Sequence, residues 1–470
     1  MNSGPAPDDR LQNAWDSLAA LVAQGRRVWP SDSEEFPQYL KDATFLKGQA
    51  ALVLQPQNAE ELRAIVIEAQ VLRKALPQYS RALSLTLRGG GSGLSGACVP
   101  EGGVVLDLTR MNRIVRIDEQ NQSITAECGV ILSELNTALA ATGLRYAVDP
   151  SSSTLCTVGG SVATNAAGPS SLKYGTTRSN LAAVTILTPT GDFVRAGALP
   201  VKTSMGFSLP DLFCGSEGRL GIITEAEFRL LPQPEESALL VAAFASEIAA
   251  AEFILKLRRS SIRPAAIEIL DYRSSSLVDF PPGCPKGGAL VLVELDGTAE
   301  EVAYDLGRLG QLAESHEFVA ARDETSRQAL WNRRKAVSLE VSKLAPHRIG
   351  EDVAVPVSAL PRAMEFARVQ AAAQQVETAI WGHAGDGNLH VNILKENLDD
   401  HYWHTTVNEG IGEIFKLTVS LGGTLSGEHG IGIAKRPYMP IAMSEVNLEL
   451  MRGIKKVFDP RGILNPGKIF

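Results

Sequence analysis

Four residues late in the sequence have the types and spacing of a reaction centre. His383 and His390 lie in WGHAGDGNLHVN, residues 381–392, and Glu428 and His429 lie in SGEHGIG, residues 426–432. Asp386-Gly387 is a strong hairpin-turn dipeptide between two β-favouring runs. If those two residues form the whole turn, Gly385 pairs with Asn388, Ala384 with Leu389, and His383 with His390. Directly opposed residues share one face of a hairpin, with Cα atoms about 5 Å apart. Two imidazoles held in this way make half of a metal site. Glu428 and His429 are the candidates to complete it and to supply a base.

The rest of the chain must position these groups. Its 470 residues point to two or more domains, with hydrophobic content (44%) and charged content (21%) ordinary for a globular protein. A net charge of −8 argues against non-specific nucleic-acid binding and against a basic membrane patch. The five cysteines (Cys98, Cys128, Cys156, Cys214, Cys284) form no CxxC pair, which fits a reducing compartment and offers no iron–sulfur or zinc framework. The polar start MNSGPAPDDR has no secretory pattern, and no uncharged apolar run reaches the roughly 18 residues of a membrane span. The expected location is cytoplasmic, with any membrane association made through a partner. All seven histidines stand at or after position 316, whereas the first half is dominated by glycine-rich loops.

Three such loops stand out. After the strand SLTLR, GGGSGLSGA (89–97) matches G-x-G-x-x-G at Gly91, Gly93 and Gly96. That fingerprint belongs to a dinucleotide fold only when it opens a helix, and here Pro100, Gly102 and Gly103 precede another strand, VVLDL. A strand–loop–strand turn whose amides form an anion nest fits better. The second loop, PSSSTLCTVGGSVATNAAG, is so poor in side-chain bulk that a backbone or a flat ligand must approach closely. The third is GSEGRLG, 215–221. Pro232 and Pro234 mark a boundary, which divides the chain into a tail and helix (1–45), a first domain (46–234) and a second (235–470). From about residue 236 the order strand, helix, strand, strand, helix, strand suggests an α+β layer with helices over one face of an antiparallel sheet. Residues 1–10 are expected to be disordered, and helices are expected over 323–344 and 401–421.

With these motifs in view, the sequence resembles the flavin-dependent 2-hydroxy-acid dehydrogenases of the vanillyl-alcohol-oxidase superfamily. This is the D-lactate dehydrogenase, glycolate oxidase D-subunit and D-2-hydroxyglutarate dehydrogenase group. The resemblance covers about residues 40–470 and rests on RGGGSGLSGA, CTVGGSVATNAAG, GSEGRLGIIT, GHAGDGNLHVN, SGEHGIG and NPGKIF. It implies a PCMH-type domain that binds FAD in extended form, followed by an α+β substrate domain with an antiparallel sheet. It assigns Arg88, Gly89, Gly90, Gly91, Ser92 and Gly93 to the pyrophosphate loop, continued by Ser95 and Gly96. Pro150, Gly159, Gly160, Ala163, Thr164 and Asn165 fall along the isoalloxazine and ribityl chain, and Gly218, Gly221 and Ile223 on the adenine side. With no histidine before 316, the usual histidyl attachment is excluded and the flavin is expected to be non-covalent. The resemblance also makes His383, His390 and Glu428 the metal ligands, His429 the base and Arg334 the clamp on the substrate carboxylate. Gly350 replaces a lysine of the 2-hydroxyglutarate members, which argues against a distal carboxylate on the substrate. Arg219 stands where threonine is commoner, and the sequence offers no account of it.

The chemistry is coherent. Oxidising an α-hydroxy acid removes a proton from oxygen and a hydride from carbon. A metal (zinc, manganese or iron(II) would suit these ligands) acidifies the hydroxyl, an imidazole takes the proton, and a flavin takes the hydride. D-lactate and glycolate are the expected substrates. The electron acceptor is expected to be a separate protein, such as an iron–sulfur subunit, or a quinone. The oligomeric state stays open. The alternatives are an alkyl-dihydroxyacetone-phosphate-synthase-like flavoenzyme and a catalytically silent flavin subunit of a multi-subunit glycolate or lactate oxidase complex.

Overall fold

The computed structural model describes the chain except residues 1–7, 31–33, 45, 315, 346, 396–398, 400 and 402. The disorder expected for residues 1–7, and position 402 of the helix expected over 401–421, lie outside the described residues. A helix already spans Asp9–Ala19, capped by the Asp8 carboxylate.

Two sheets carry the first half. Strands β1 (Arg27–Val28), β2 (Leu52–Leu54), β3 (Leu85–Arg88) and β4 (Val104–Asp107) form one sheet in the order β1-β2-β4-β3. The helix Ala59–Ala75 follows β2, and Asn58 accepts the Glu60 and Glu61 amides as its cap. Strands β3 and β4 run parallel, so the glycine loop between them is a crossover rather than a turn. Parallel partners need a dozen or so connecting residues, usually helical. Here residues 89–103 make that return without a helix.

The second sheet contains β5 (Ile114–Asp118), β6 (Ser123–Glu127), β8 (Leu181–Leu187), β9 (Phe193–Gly197) and β10 (Ile222–Arg229), in the order β5-β6-β10-β8-β9. A short ribbon pairs β7 (Leu144–Arg145) with β11 (Leu231–Pro232). One continuous apolar core joins both sheets, and it includes Ile463 and Leu464. The C-terminal segment therefore returns to the first half. Leu464 bridges Leu85, and Asn465 Oδ1 accepts the Leu87 amide.

The third sheet positions the histidines. It contains β12 (Glu236–Phe244), β13 (Ala266–Asp271), β14 (Ala289–Gly297), β15 (Glu317–Ala321), β16 (Arg348–Ala354), β17 (Glu377–Gly382) and β18 (Asn388–Leu394). All its pairings are antiparallel, in the order β15-β12-β14-β13-β17-β18-β16. The helices Glu247–Arg259, Ala299–Ala313, Leu360–Ala373 and Asn408–Ser420 pack on one face. The opposite face is also covered, by the long helix Glu324–Leu344, through Leu330, Trp331, Val337 and Val341. The one-sided layer expected from the sequence is thus corrected to a two-sided one. Alternation along β18 explains both contacts: Leu389, Val391 and Ile393 enter the first core, while His390 and Asn392 face the long helix.

Candidate functional site

The hairpin carries both imidazoles on one face, in a register different from the one expected. His390 lies opposite Trp381, not opposite His383. The strand β17 ends at Gly382, and the turn is closed when Asn388 N and Asp386 N donate to the His383 carbonyl at 3.1 and 3.3 Å. Neighbours widen it. Gly385 N donates to Ile267 O, Val355 N donates to Gly387 O, and a Cβ on Gly387 (φ +85°) would overlap the Val355 carbonyl. His383 is therefore the diagonal neighbour of His390. The shift preserves the face because side chains alternate with period two. The rings meet edge-on with centroids 5.3 Å apart.

The SGEHGIG loop reaches this face through Asp352 of β16, which pairs with His390 across the ladder. Asp352 is fully buried. Its Oδ2 accepts the Glu428 and His429 amides and the Ser426 hydroxyl, each at 2.9 Å, and Oδ1 accepts Asn388 Nδ2 at 2.5 Å. From the other side, the buried Glu217 of the GSEG loop accepts the Ile431 and Gly432 amides. The two halves of the chain therefore fix one loop together.

That loop places Glu428 Oε1 3.6 Å from His383 Nε2, 3.5 Å from His390 Nε2 and 3.7 Å from His429 Nε2. These separations exceed a hydrogen bond. They match the edge of a ligand tetrahedron around a cation with bonds of about 2.1 Å. One donor atom from each of His383, His390 and Glu428 lies within 4.8 Å of the others, so this set fits a divalent metal; Asp352, His390 and His429 satisfy the same distance. His429 Nδ1 is buried with no hydrogen-bond partner among the described residues and lies 3.9 Å from Asp352 Oδ2.

Arg334 stands on the long helix over this face, bound to a residue that sequence reasoning missed. Its Nε and Nη2 donate to Glu268 Oε2 at 2.8 and 2.5 Å, while Glu268 Oε1 contacts His383 Nδ1 at 2.5 Å. Arg334 Nη1 makes no hydrogen bond among the described residues. The signal for Glu268 was available as a charge flanked by Ile267 and Ile269 in the mostly apolar strand AIEILD. Asp352 gave a weaker one, since Arg348 and Glu351 share its strand.

The electrostatics follow from burial and charge. Burial raises the Glu268 carboxyl, but His383 and Arg334 outweigh it and bring the group down to about 2. Burial opposes charge on His383, yet Glu268 and Glu428 hold its pKa well above the imidazole range. Burial and the neighbouring imidazoles outweigh Glu428 at His390 and bring it down to about 4. Burial also opposes charge on Asp352, but His429, Lys435 and His390 keep it well below the carboxylate range.

Beside Glu428 and His429 opens a cleft with an empty volume of ≈ 1280 Å³, including its open mouth. Arg88, Gly89, Gly90, Gly91, Ser92, Gly93, Pro150, Gly159, Gly160, Ala163, Thr164, Gly218, Gly221 and Ile223 all line it. A Cβ on Gly93 would meet nothing closer than 3.8 Å, and one on Gly160 nothing closer than 3.2 Å. The missing side chains at these two positions leave room in the cleft, which is the fit an extended flat cofactor requires. Three expected residues do not line it. Ser95 is buried under the loop, where its carbonyl accepts Ile433 N and Ala434 N, and Gly96 N donates to Asp42. Asn165 turns away in a left-handed conformation (φ 54°), and its side chain accepts from Thr176 and Arg178. Asp42, Glu217 and Asn465 also line the cleft; Glu217 and Asn465 stand in the motifs GSEGRLG and NPGKIF without having been singled out, and Asp42 had no sequence signal.

The glycine-lined cleft meets the carboxylate of Glu428 and the imidazole of His429, and comparisons with known proteins show the class, an FAD-linked oxidoreductase. The FAD binding domain matches residues 50–197, and the C-terminal domain of the FAD linked oxidases matches residues 233–469. The chain belongs to this family of FAD-linked oxidoreductases. It is 34% identical to the glycolate oxidase subunit GlcD of Bacillus subtilis, covering 95% of this chain and 92% of that one. It is 31% identical to the D-2-hydroxyglutarate dehydrogenase of Stutzerimonas stutzeri (97% and 98%) and to the D-lactate dehydrogenase of Anaerostipes hadrus (91% and 91%). Among solved structures, p-cresol methylhydroxylase superposes with a TM-score of 0.79 at 14% identity, over 98% of this chain and 97% of that one. That likeness supports the PCMH-type fold expected from the sequence. Among the described residues no helix is long and apolar enough to cross a membrane.

Proposed function

We propose that the chain oxidises a D-2-hydroxy acid to the 2-oxo acid, with D-lactate or glycolate as the substrate. The observation that carries this reading is the gathering of three imidazole Nε2 atoms around Glu428 Oε1 at the side of the glycine-lined cleft. FAD, held non-covalently along Arg88–Gly93 and Gly159–Thr164, would supply the hydride acceptor. A zinc, manganese or iron ion, held by His383, His390 and Glu428, would supply Lewis acidity toward the substrate hydroxyl.

The chain's own side chains do the rest. His429 takes the hydroxyl proton at an imidazole nitrogen, and Asp352, which accepts the His429 backbone amide and lies 3.9 Å from Nδ1, balances the charge the ring gains. Arg334 holds the substrate carboxylate through the nitrogen that Glu268 does not use, which orients the α-hydrogen. Three relatives are named as a glycolate oxidase subunit, which supports a reoxidant outside this chain: an electron-transfer protein, an iron–sulfur subunit or a quinone. Five free cysteines among the described residues support a reducing, cytoplasmic location.

The test is anaerobic flavin reduction by a panel of D- and L-2-hydroxy acids, before and after treatment with a chelator. Bleaching by D-acids that chelation abolishes supports the reading. Bleaching by none of them, or bleaching indifferent to chelation, overturns it.

A further inference from the structure

The helix Glu445–Phe458 turns an apolar row to solvent. Leu448 and Lys455 are buried on its inner side, yet on the outer side Val446, Leu450 and Val457 are 65, 62 and 79% exposed. Isolated exposed aliphatics are ordinary. These three stand in one row with Gly453, at successive spacings of four, three and four residues. That is the apolar repeat of a helix paired with another helix. Gly453 sharpens the point. Glycine in the exposed middle of a helix weakens it, and this one has no positive φ to justify it. A Cβ there would meet nothing within 4 Å, so packing inside the chain does not require the glycine either. Close approach of a second helix would.

The two edges of the row differ. On the inner edge, Met443 and Ile454 join the body of the protein, where they line a cavity against residues 424–428. The outer edge carries Glu445, Glu449, Arg452 and Lys456, an acidic half followed by a basic half. Glu445 and Arg452 pair with each other within the helix. Glu449 and Lys456 form no ion pair among the described residues. This order of charge selects the occupant. A second copy of the same helix, laid antiparallel, brings acidic half to basic half on both sides of a two-fold axis, so the surface is its own complement.

We propose that this row is the two-fold interface of a homodimer. In the antiparallel pair, Leu450 of each copy lies over Gly453 of the other, and Val446 lies over Val457. The axis passes between residues 451 and 452, and Glu449 of each copy stands beside Lys456 of the other. The glycine lets the helices meet at the near end of the usual spacing of about 8 to 10 Å. The row lies outside the glycine-lined cleft and the histidine cluster, so this pairing does not depend on the proposed oxidation.

Sedimentation equilibrium of the purified flavoprotein tests it, in the wild type, Leu450→Glu, Glu449→Lys, Lys456→Glu and the double variant Glu449→Lys with Lys456→Glu. The wild type is expected to be a dimer at micromolar concentration. Leu450→Glu should raise the dissociation constant by about 100-fold or more. Each single charge reversal sets like charges together at two symmetric places and should raise it by about 10-fold or more, while the double variant returns to within about threefold of the wild type. All three positions are exposed, so flavin content and thermal unfolding of the monomer should stay as in the wild type, which separates dissociation from misfolding. A monomeric wild type overturns the proposal, and its sedimentation with anionic lipid vesicles would give the row to a lipid surface instead. A dimer that Leu450→Glu leaves intact, or a double variant no tighter than the single reversals, overturns it equally.

Discussion

Glu268 and His383 are joined by one short contact, carboxylate Oε1 to imidazole Nδ1 at 2.5 Å. It leaves His383 Nε2 directed at Glu428, and the second Glu268 oxygen ties Arg334 to the same point. Removing this charge should free both groups. Glu268→Gln is expected to lower metal affinity and the rate of flavin reduction by about 10- to 100-fold each. Metal content after dialysis against a graded chelator checks the first effect, and anaerobic stopped flow checks the second.

Asp352 acts on the adjacent loop. Its Oδ2 accepts from Ser426, Glu428 and His429, and buried Lys435 approaches the same oxygen at 4.0 Å. Asp352→Asn replaces a charged acceptor with a neutral amide in a buried site. The expected cost is about 3 kcal/mol of stability. Urea denaturation measures it, and faster hydrogen exchange at the Glu428 and His429 amides should accompany it.

Much of this site was legible in the sequence, for reasons that particular residues make plain. Asp386-Gly387 gave the hairpin, and the error in register moved the partner of His390 by two positions, from His383 to Trp381. A slip of two leaves the face unchanged, so the two imidazoles still converge. The cleft was legible because a long run of small residues has few other uses. What escaped was the support. Glu268 meets His383 across 115 residues of chain, and no local spacing carries that information. Ser95 and Gly96 lie outside the cleft lining because their loop folds under itself, against residues 433 and 434. The two-sided third sheet escaped because strand order does not say where a long helix with little apolar periodicity will dock.

Asp271 gives a prediction in pH. It is buried at the end of β13 beside β17, accepts the Ile380 and Ser274 amides, and has its pKa raised by burial from 3.8 to about 6. The folded state therefore binds this proton more tightly than the unfolded one. The group's contribution to stability is fully present below pH 3.8 and is lost as pH rises to about 6. Asp271→Asn carries no such proton. Its stability should vary less between those pH values, by on the order of 2 kcal/mol, in denaturation curves taken at half-unit intervals.

Gly90 tests the cleft. A Cβ there would overlap the Leu155 carbonyl oxygen, so the loop must move to accept a side chain. Gly90→Ala should fold, because the clash lies at the cleft rather than in the core, but FAD affinity should fall roughly 10-fold or more, about 1.4 kcal/mol. Flavin released on denaturation, measured per chain, checks this.

The most direct test of the central claim uses one substitution and one chelator. Wild-type protein, chelated protein and His429→Gln are mixed anaerobically with D-lactate, glycolate and D-2-hydroxyglutarate, and flavin absorbance is followed. The account predicts that D-acids bleach the wild-type flavin, that chelation stops the bleaching and added zinc or manganese restores it, and that His429→Gln slows it by about 100- to 10,000-fold with its flavin still bound. Equal bleaching rates in all three proteins would contradict it.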